Sequence, residues 1–536
     1  MRDVVIVGGG HNGLIAAALL ASAGLKPLVL ERRAWIGGCA ITSEIAPGFR
    51  CPTLAHRASI DPALVRALGL ERQGLQIVRP EALVCAPTAG SGTLTLWADT
   101  TRATREIAAF SGRDAERYPQ FLASVTAISG VLRRLTAKPP PSGDGLTTAD
   151  LFELLATGRK FRALRKADAY RLLRWLPMAV ADLAHEWFES EPLGATVAAG
   201  GVLGSFVGPR SPGSAGVLLW LAAGEGHPIA PGWTARGGIG AVSESLASAA
   251  RQAGAEIRVG VEVQQIVVHD GAATSVVLST GEQIAARCIA SNADPRRTML
   301  GLVAPVHLSP EYVRAVQNIR MRGTLAAVNY AVSSLPEFSD LAEWDPARRA
   351  AAISGCVRLC QDVDAIERAF DAAKYGGYAD EPWIELTIPS LVDPDLAPRG
   401  RHVVSAHVLF VPYRLRGTTW DVERERLGDA VTRTIARYAP GFERSVEARQ
   451  VITPLDLERD HGLTGGQIFH GELALDQLFL ARPLLGWARY HTPIRNLFLC
   501  GTGTHPGTGL DGRAGALAAR EISKALSSGR IRRGRR

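Results

Sequence analysis

The sequence predicts an α/β fold, α+β overall, and three observations carry that prediction. A strand, a glycine turn and a helix follow one another within residues 3–31, and a second strand–loop–helix unit occupies 496–527. Between them the chain mixes helical and strand patterns, which reads as an interleaved domain of mixed sheet and helices. The 536 residues suffice for two to four domains or one large enzyme. A hydrophobic share of 46% with 21% charged residues excludes a disordered chain, and 56 glycines without a three-residue period exclude collagen. The net charge of +8 belongs mostly to the terminus, where Arg530, Arg532, Arg533, Arg535 and Arg536 fall in the last seven residues. The rest of the chain sits near +3, so no nucleic-acid-binding body is indicated.

The first unit reads DVVIVGGGHNGLIAAALLASAGLKPLVLE from Asp3 to Glu31. Its uncharged stretch at 4–25 has the length of a membrane span, but the glycine run followed by His11, Asn12 and Gly13 breaks it. The pattern predicts a buried strand over Val4–Val7, a helix from Asn12 to Ala23 ended by Gly24, and a second strand from Pro27 to Leu30. Gly8, Gly10 and Gly13 fit the G-x-G-x-x-G spacing of a Rossmann-type unit. There the glycines permit a tight turn, close approach of a pyrophosphate, and tight helix–sheet packing. The free N–H groups of the helix start attract phosphate, and Glu31 stands where a carboxylate accepts ribose hydroxyls.

Further along, Ala63–Leu70 reads as helix and Thr93–Ala98 as strand, and the run from Lys138 to Gly145 reads as an exposed loop. Residues 147–190 are helical in pattern and carry Arg159, Lys160, Arg162, Arg165, Lys166, Arg171 and Arg174 interleaved with Leu, Phe and Trp. A solvated helix face accounts for this cluster, and so does a membrane-surface patch over 159–176. A glycine turn at 236–240 leads into a helix over Ala241–Ala253, then a strand over Glu256–Val263. Val267–Val268 and Ser275–Leu278 flank a turn at Asp270-Gly271, and a strand from Arg287 runs into Ser291-Asn-Ala-Asp-Pro295. The last unit has a strand at Leu497–Cys500, a glycine-rich loop from Gly501 to Gly512, and a helix to about Ser527. In its loop, Asp511 reads as a helix cap. The seven cysteines contain no C-x-x-C, so neither a disulfide framework nor a zinc site is expected; Cys356 and Cys360 have the spacing of one helix face. No metal is expected, and a reduced, cytoplasmic setting with peripheral membrane contact is.

The motifs GGGHNG at 8–13, ERRAWIGG at 31–38, RGGIGAV at 236–242, SNADP at 291–295 and CGTGTHPG at 500–507 give the chain a family resemblance. It resembles the phytoene desaturase and carotenoid isomerase group of FAD-dependent oxidoreductases. FESEPLGA at 188–195, GPRSPGSA at 208–215 and GGQIFHGE at 465–472 are similar to its branch designated pyridine nucleotide-disulphide oxidoreductase domain-containing. Disulfide chemistry does not follow, since the C-x-x-C is missing.

The resemblance implies a discontinuous FAD-binding domain of the amine oxidase and phytoene desaturase kind, from 1–75, 232–300 and 485–528. A substrate domain with a helical lid would take 76–231 and 301–484, and 529–536 would be a disordered tail. It places FAD against Gly8, Gly10, Asn12, Gly13, Glu31, Arg32, Gly37, Gly38, Val263, Gly501, Thr502 and Gly512. The reaction implied is desaturation, saturation or isomerisation of a lipophilic small molecule by hydride transfer to or from flavin N5, with oxygen or a quinone as electron acceptor. His470, His505 and His56 are the candidates for the proton. Arg482 stands to anchor a carboxylate or pair with an acid. Two other readings of the same fold are a flavin amine oxidase and a non-enzymatic chaperone of prenylated proteins. Sequence leaves the oligomeric state open.

Overall fold

The computed structural model describes residues 1–528 apart from 91, 142–146, 226–228, 230, 231, 360 and 361. Two seven-stranded sheets organise it. The first runs, in spatial order, Val263–His269, Ala272–Leu278, Gln283–Ser291, Arg2–Val7, Pro27–Leu30 and Glu256–Arg258, with Leu497–Leu499 also paired to Gln283–Ser291. Its centre is parallel: Val4 stands beside Cys288 on one side and Pro27 on the other. A strand buried on both faces reads as an uninterrupted apolar run, and Val4, Val5 and Ile6 have no exposed surface.

The helix His11–Ser22 is buried on nearly every side, which is why its sequence lacks a polar stripe. Its alanines admit the C-terminal helix Arg513–Ser527 at close range. A Cβ on Gly515 would lie 2.1 Å from the Asn12 carbonyl oxygen, so only glycine allows that crossing. Leu20 and Leu517 close the contact, each contributing on the order of 2 kcal/mol by burial. The strand expected over Glu256–Val263 is divided. It ends at Arg258, the chain turns at Gly260 (φ +69°), and Val263 opens a new antiparallel strand. Backbone bonds from Gly260 to Arg33 and from Val261 to Glu31 hold that turn. Asp270 and Gly271, at φ +49° and +70°, form the two-residue hairpin expected of Asp-Gly.

The second sheet runs Val446–Ile452, Leu325–Val332, His402–Leu409, Ile384–Thr387, Cys356–Leu359, Ala82–Pro87 and Thr93–Trp97. Cys356 therefore lies in a strand, not on a helix, and Cys360 falls outside the described residues. The loop 138–145 is described only to residue 141, and the tail 529–536 is likewise outside. Helices Gly112–Thr136, Val180–Trp187, Glu191–Ala199 and Ser214–Glu225 pack into one apolar core beside this sheet. Among the described residues no helix is long and apolar enough to cross a membrane.

Candidate cofactor and substrate site

Two cavities meet where the first sheet, the glycine loops and the second sheet converge. The first, about 960 Å³, is lined by Gly8, Gly10, Glu31, Gly37, Gly38 and Val263, together with Arg32, Arg33 and Arg297. Local sequence builds its floor. Strand Arg2–Val7 ends at a turn, Gly10 precedes the helix His11–Ser22, and no side chain caps the helix N–H groups. A Cβ on Gly13 would stand 2.4 Å from the Gly8 carbonyl oxygen, and one on Gly37, at φ +112°, 2.6 Å from that of Ala40. Glu31 accepts from the N–H of Gly9 at 2.8 Å and of Arg33 at 3.0 Å, which fixes its carboxylate at the cavity wall. Burial, then neighbouring Arg297, lowers the pKa of Arg32; burial and Arg32 do the same to Arg33. This crowding of cations beside a helix N-terminus suits an anion, and a backbone-lined floor suits a pyrophosphate. The residues fit a dinucleotide.

The second cavity, about 1410 Å³, is mainly apolar, with Leu54, Leu203, Leu221, Leu325, Leu409 and Phe469 among its walls. Its floor is one face of the second sheet. His11, Cys39, Ile468 and Thr502 line both cavities. Cys39 is pushed up to about 12 by burial and stays a thiol. His11 lies Nε2 3.2 Å from the Gly509 carbonyl, an acceptor, so Nε2 carries the proton and Nδ1 a lone pair. Burial, then His470, lowers its pKa to about 4, and the imidazole is neutral at pH 7.

The expected residues separate in space. Gly8, Gly10, Glu31, Arg32, Gly37, Gly38, Val263 and Thr502 line the first cavity; Asn12, Gly13, Gly501 and Gly512 line neither. Asn12 works from behind, donating to Thr502 Oγ1 at 3.1 Å and accepting from Gly515 N–H at 3.0 Å. The Cβ positions of Gly501 and Gly512 face the Asn292 carbonyl and Ile15, so packing of the loop on the sheet and helix accounts for both. Asp511, read from sequence as a helix cap, is not one: Gly512 holds the N-cap position, and Asp511 accepts from Arg513 N–H and from Thr508, bracing the loop one residue ahead of the helix.

The three histidine candidates are not brought together. His470 lines the first cavity, with Nδ1 buried and unpartnered, and burial followed by Arg482 lowers its pKa to about 4. His56 lines the second. His505 lines neither: Nε2 donates to the Leu135 carbonyl at 2.9 Å, between the rings of Trp220 and Phe479. Arg482 meets no carboxylate among the described residues. It is buried and donates to backbone carbonyls of Phe469 (2.6 Å), Gly471, Glu472, Gln477 and Thr502, clamping the C-terminal loop, and burial lowers its pKa to about 9. His11 is not among the histidines that the sequence singles out for the proton, and its place inside G-x-G-x-x-G at the helix start is the signal that marks it.

The profile of the NAD(P)-binding Rossmann-like domain matches residues 6–65, and that of the flavin containing amine oxidoreductases matches 199–523. The chain is 36% identical to the rat pyridine nucleotide-disulfide oxidoreductase domain-containing protein 2, covering 98% of this chain and 94% of that one. It is 24% identical to the lycopene-forming phytoene desaturase of Pantoea ananas, covering 97% and 98%. A putrescine oxidase variant of known structure superposes with a TM-score of 0.61 over 98% of this chain and 99% of that one, at 15% identity, which shows a common fold.

Proposed function

The chain belongs to the family of flavin-containing amine oxidoreductases, and from that premise we propose that it is an FAD-dependent oxidoreductase of C–H and C=C bonds in a lipophilic small molecule. The observation that carries this reading is the continuity of a backbone-lined, cationic cavity with a larger apolar one across His11, Cys39, Ile468 and Thr502. In it, Gly8, Gly10, Gly37, Gly38 and the helix start hold the pyrophosphate, Arg32 offsets its charge, and Glu31 takes the ribose. FAD, when bound, supplies the hydride acceptor or donor, with oxygen or a quinone as the final electron acceptor.

The protein's own part is placement and proton handling. The leucine-lined cavity orients an apolar substrate and excludes water. Removing hydrogen from adjacent carbons releases a proton as well as a hydride, and His11 Nδ1 is a neutral acceptor on the wall common to both cavities. Its Nε2–H bond to Gly509 fixes that tautomer. A relative named for phytoene desaturation supports an apolar substrate. Mass spectrometry of the molecule that co-purifies with the yellow protein tests the reading, which expects a lipophilic compound; a co-purifying polar amine instead would overturn it.

A membrane supply of substrate belongs to the same proposal. Leu172 and Trp175 of the cationic segment are buried, and Phe161 and Leu164 pack on the core. The exposed apolar residues of the segment are instead Leu151, Phe152 (73% exposed), Leu154, Leu155, Tyr170 and Leu173. Arg165 and Arg171 pair with Asp168 and Arg174 with Glu186; Arg159, Lys160 and Arg162 have no ion-pair partner among the described residues. Exposed leucines next to unpaired cations suit an anionic lipid surface.

A further inference from the structure

We propose that the part of the apolar cavity formed by the second sheet is a hydroxyl-recognition subsite, so that the substrate is a lipophilic alcohol. This rests on reading that cavity as the site of a lipophilic substrate. Strand register aligns Arg358 with Glu385 and Glu385 with His407, giving a polar row across three strands. Trp383, Leu409 and Leu325 follow beside it, and His56 covers the row from above, its ring stacked on His407 at 3.5 Å and 5°. All seven line the apolar cavity and none lines the cationic one.

Hydrogen bonds fix what this row offers. Asn329 Nδ2 donates to the Thr53 carbonyl and to Gln450, so its Oδ1 accepts the Ser405 proton at 2.7 Å. Ser405, its proton so placed, accepts from His56 Nε2 at 2.8 Å, which leaves His56 Nδ1 as a lone pair. That atom is buried and has no partner among the described residues. His407 Nε2 donates to the Leu54 carbonyl, so its Nδ1 is an acceptor too. The Trp383 indole N–H, also buried, has no partner among them either. Among the described residues the unanswered groups are thus an acceptor on His56 and a donor on Trp383.

A hydroxyl both donates and accepts, and answers these groups without bringing charge. A carboxylate has no proton for the imidazoles and meets Glu385, whose burial opposes ionisation but which Arg358 and Arg57 hold down to about 2. An ammonium meets Arg57 and Arg358 against that single carboxylate. A metal ion lies in the plane of each imidazole it binds, and two nearly parallel planes 3.5 Å apart share no such point.

The test measures equilibrium binding of 1-decanol, decane and decanoate to the flavin-loaded enzyme, in wild type, Ser405→Ala and His407→Phe. Ser405→Ala frees the His56 tautomer, and His407→Phe keeps the stack without the lone pair. Both variants should weaken decanol about tenfold and leave decane within about twofold. Equal shifts for decanol and decane, no shift for decanol, or a loss confined to decanoate would overturn the subsite alone. Failure of all three to bind wild type would overturn the lipophilic cavity itself, and the subsite with it.

Discussion

The two cavities are built in opposite ways. The cationic one is made largely of backbone: Gly8, Gly10, Gly37 and Gly38 come from 31 consecutive residues, and the helix start lies between them. The apolar one is made of side chains from strands far apart in sequence, where Arg358, Glu385 and His407 become neighbours through register alone. A site built on backbone fails when bulk is added. A site built on side chains is retuned by single substitutions, and one fold can serve many substrates by changing the second cavity while keeping the first.

The largest expected effect breaks the backbone cavity. A Cβ at Gly10 would lie 2.8 Å from Asn292 Nδ2, and Gly10→Glu also places a negative charge against the phosphates. FAD affinity should fall by more than about 1,000-fold, read by absorbance after added FAD and gel filtration. A yellow variant would show that the dinucleotide lies elsewhere. Next comes the shared wall. His11→Gln should lower the anaerobic rate of flavin reduction by about 100- to 1,000-fold while the protein remains yellow. A rate within twofold of wild type would remove His11 from proton transfer.

The third prediction concerns stability, because His505 belongs to neither cavity. Burial lowers its pKa to about 3 in the folded chain, while the unfolded chain takes up that proton near 6.5. The unfolded state therefore binds more protons between pH 6.5 and 3. Stability is complete above 6.5 and falls as the pH drops through that window, by at most ~1.4 kcal/mol per pH unit for this group. His505→Gln should flatten the acid slope of the melting temperature without changing FAD affinity; a lost flavin band with an unchanged slope would instead put His505 at the cofactor. The smallest effect tests the supply route. Lys160→Glu with Phe152→Ser should lower co-sedimentation with phosphatidylserine vesicles several-fold and leave binding to soluble decanol unchanged.

The same contrast explains how much the sequence made legible. The strand at Pro27–Leu30 and the helix ending at Ser527 follow from local periodicity and glycine stops, and the structure has them. Glu256–Val263 read as one strand because the turn at Gly260 is held by bonds to Arg33 and Glu31, more than 200 residues away. His56 and His505 could not be sorted from sequence, since each place depends on a partner far along the chain, Ser405 and Leu135. Arg482 was unreadable for the same reason, its partners being carbonyls of a folded loop that no side-chain pattern marks. The row of Arg358, Glu385 and His407 exists only once three strands are in register.

The central claim is that an FAD cavity opens onto an apolar substrate cavity across His11 and Thr502. The most direct measurement is anaerobic stopped-flow of the FAD-loaded enzyme mixed with a polyene alcohol or with putrescine, followed at the flavin absorbance bands. The account predicts bleaching by the polyene alcohol and none by putrescine. Bleaching by the amine alone would contradict it.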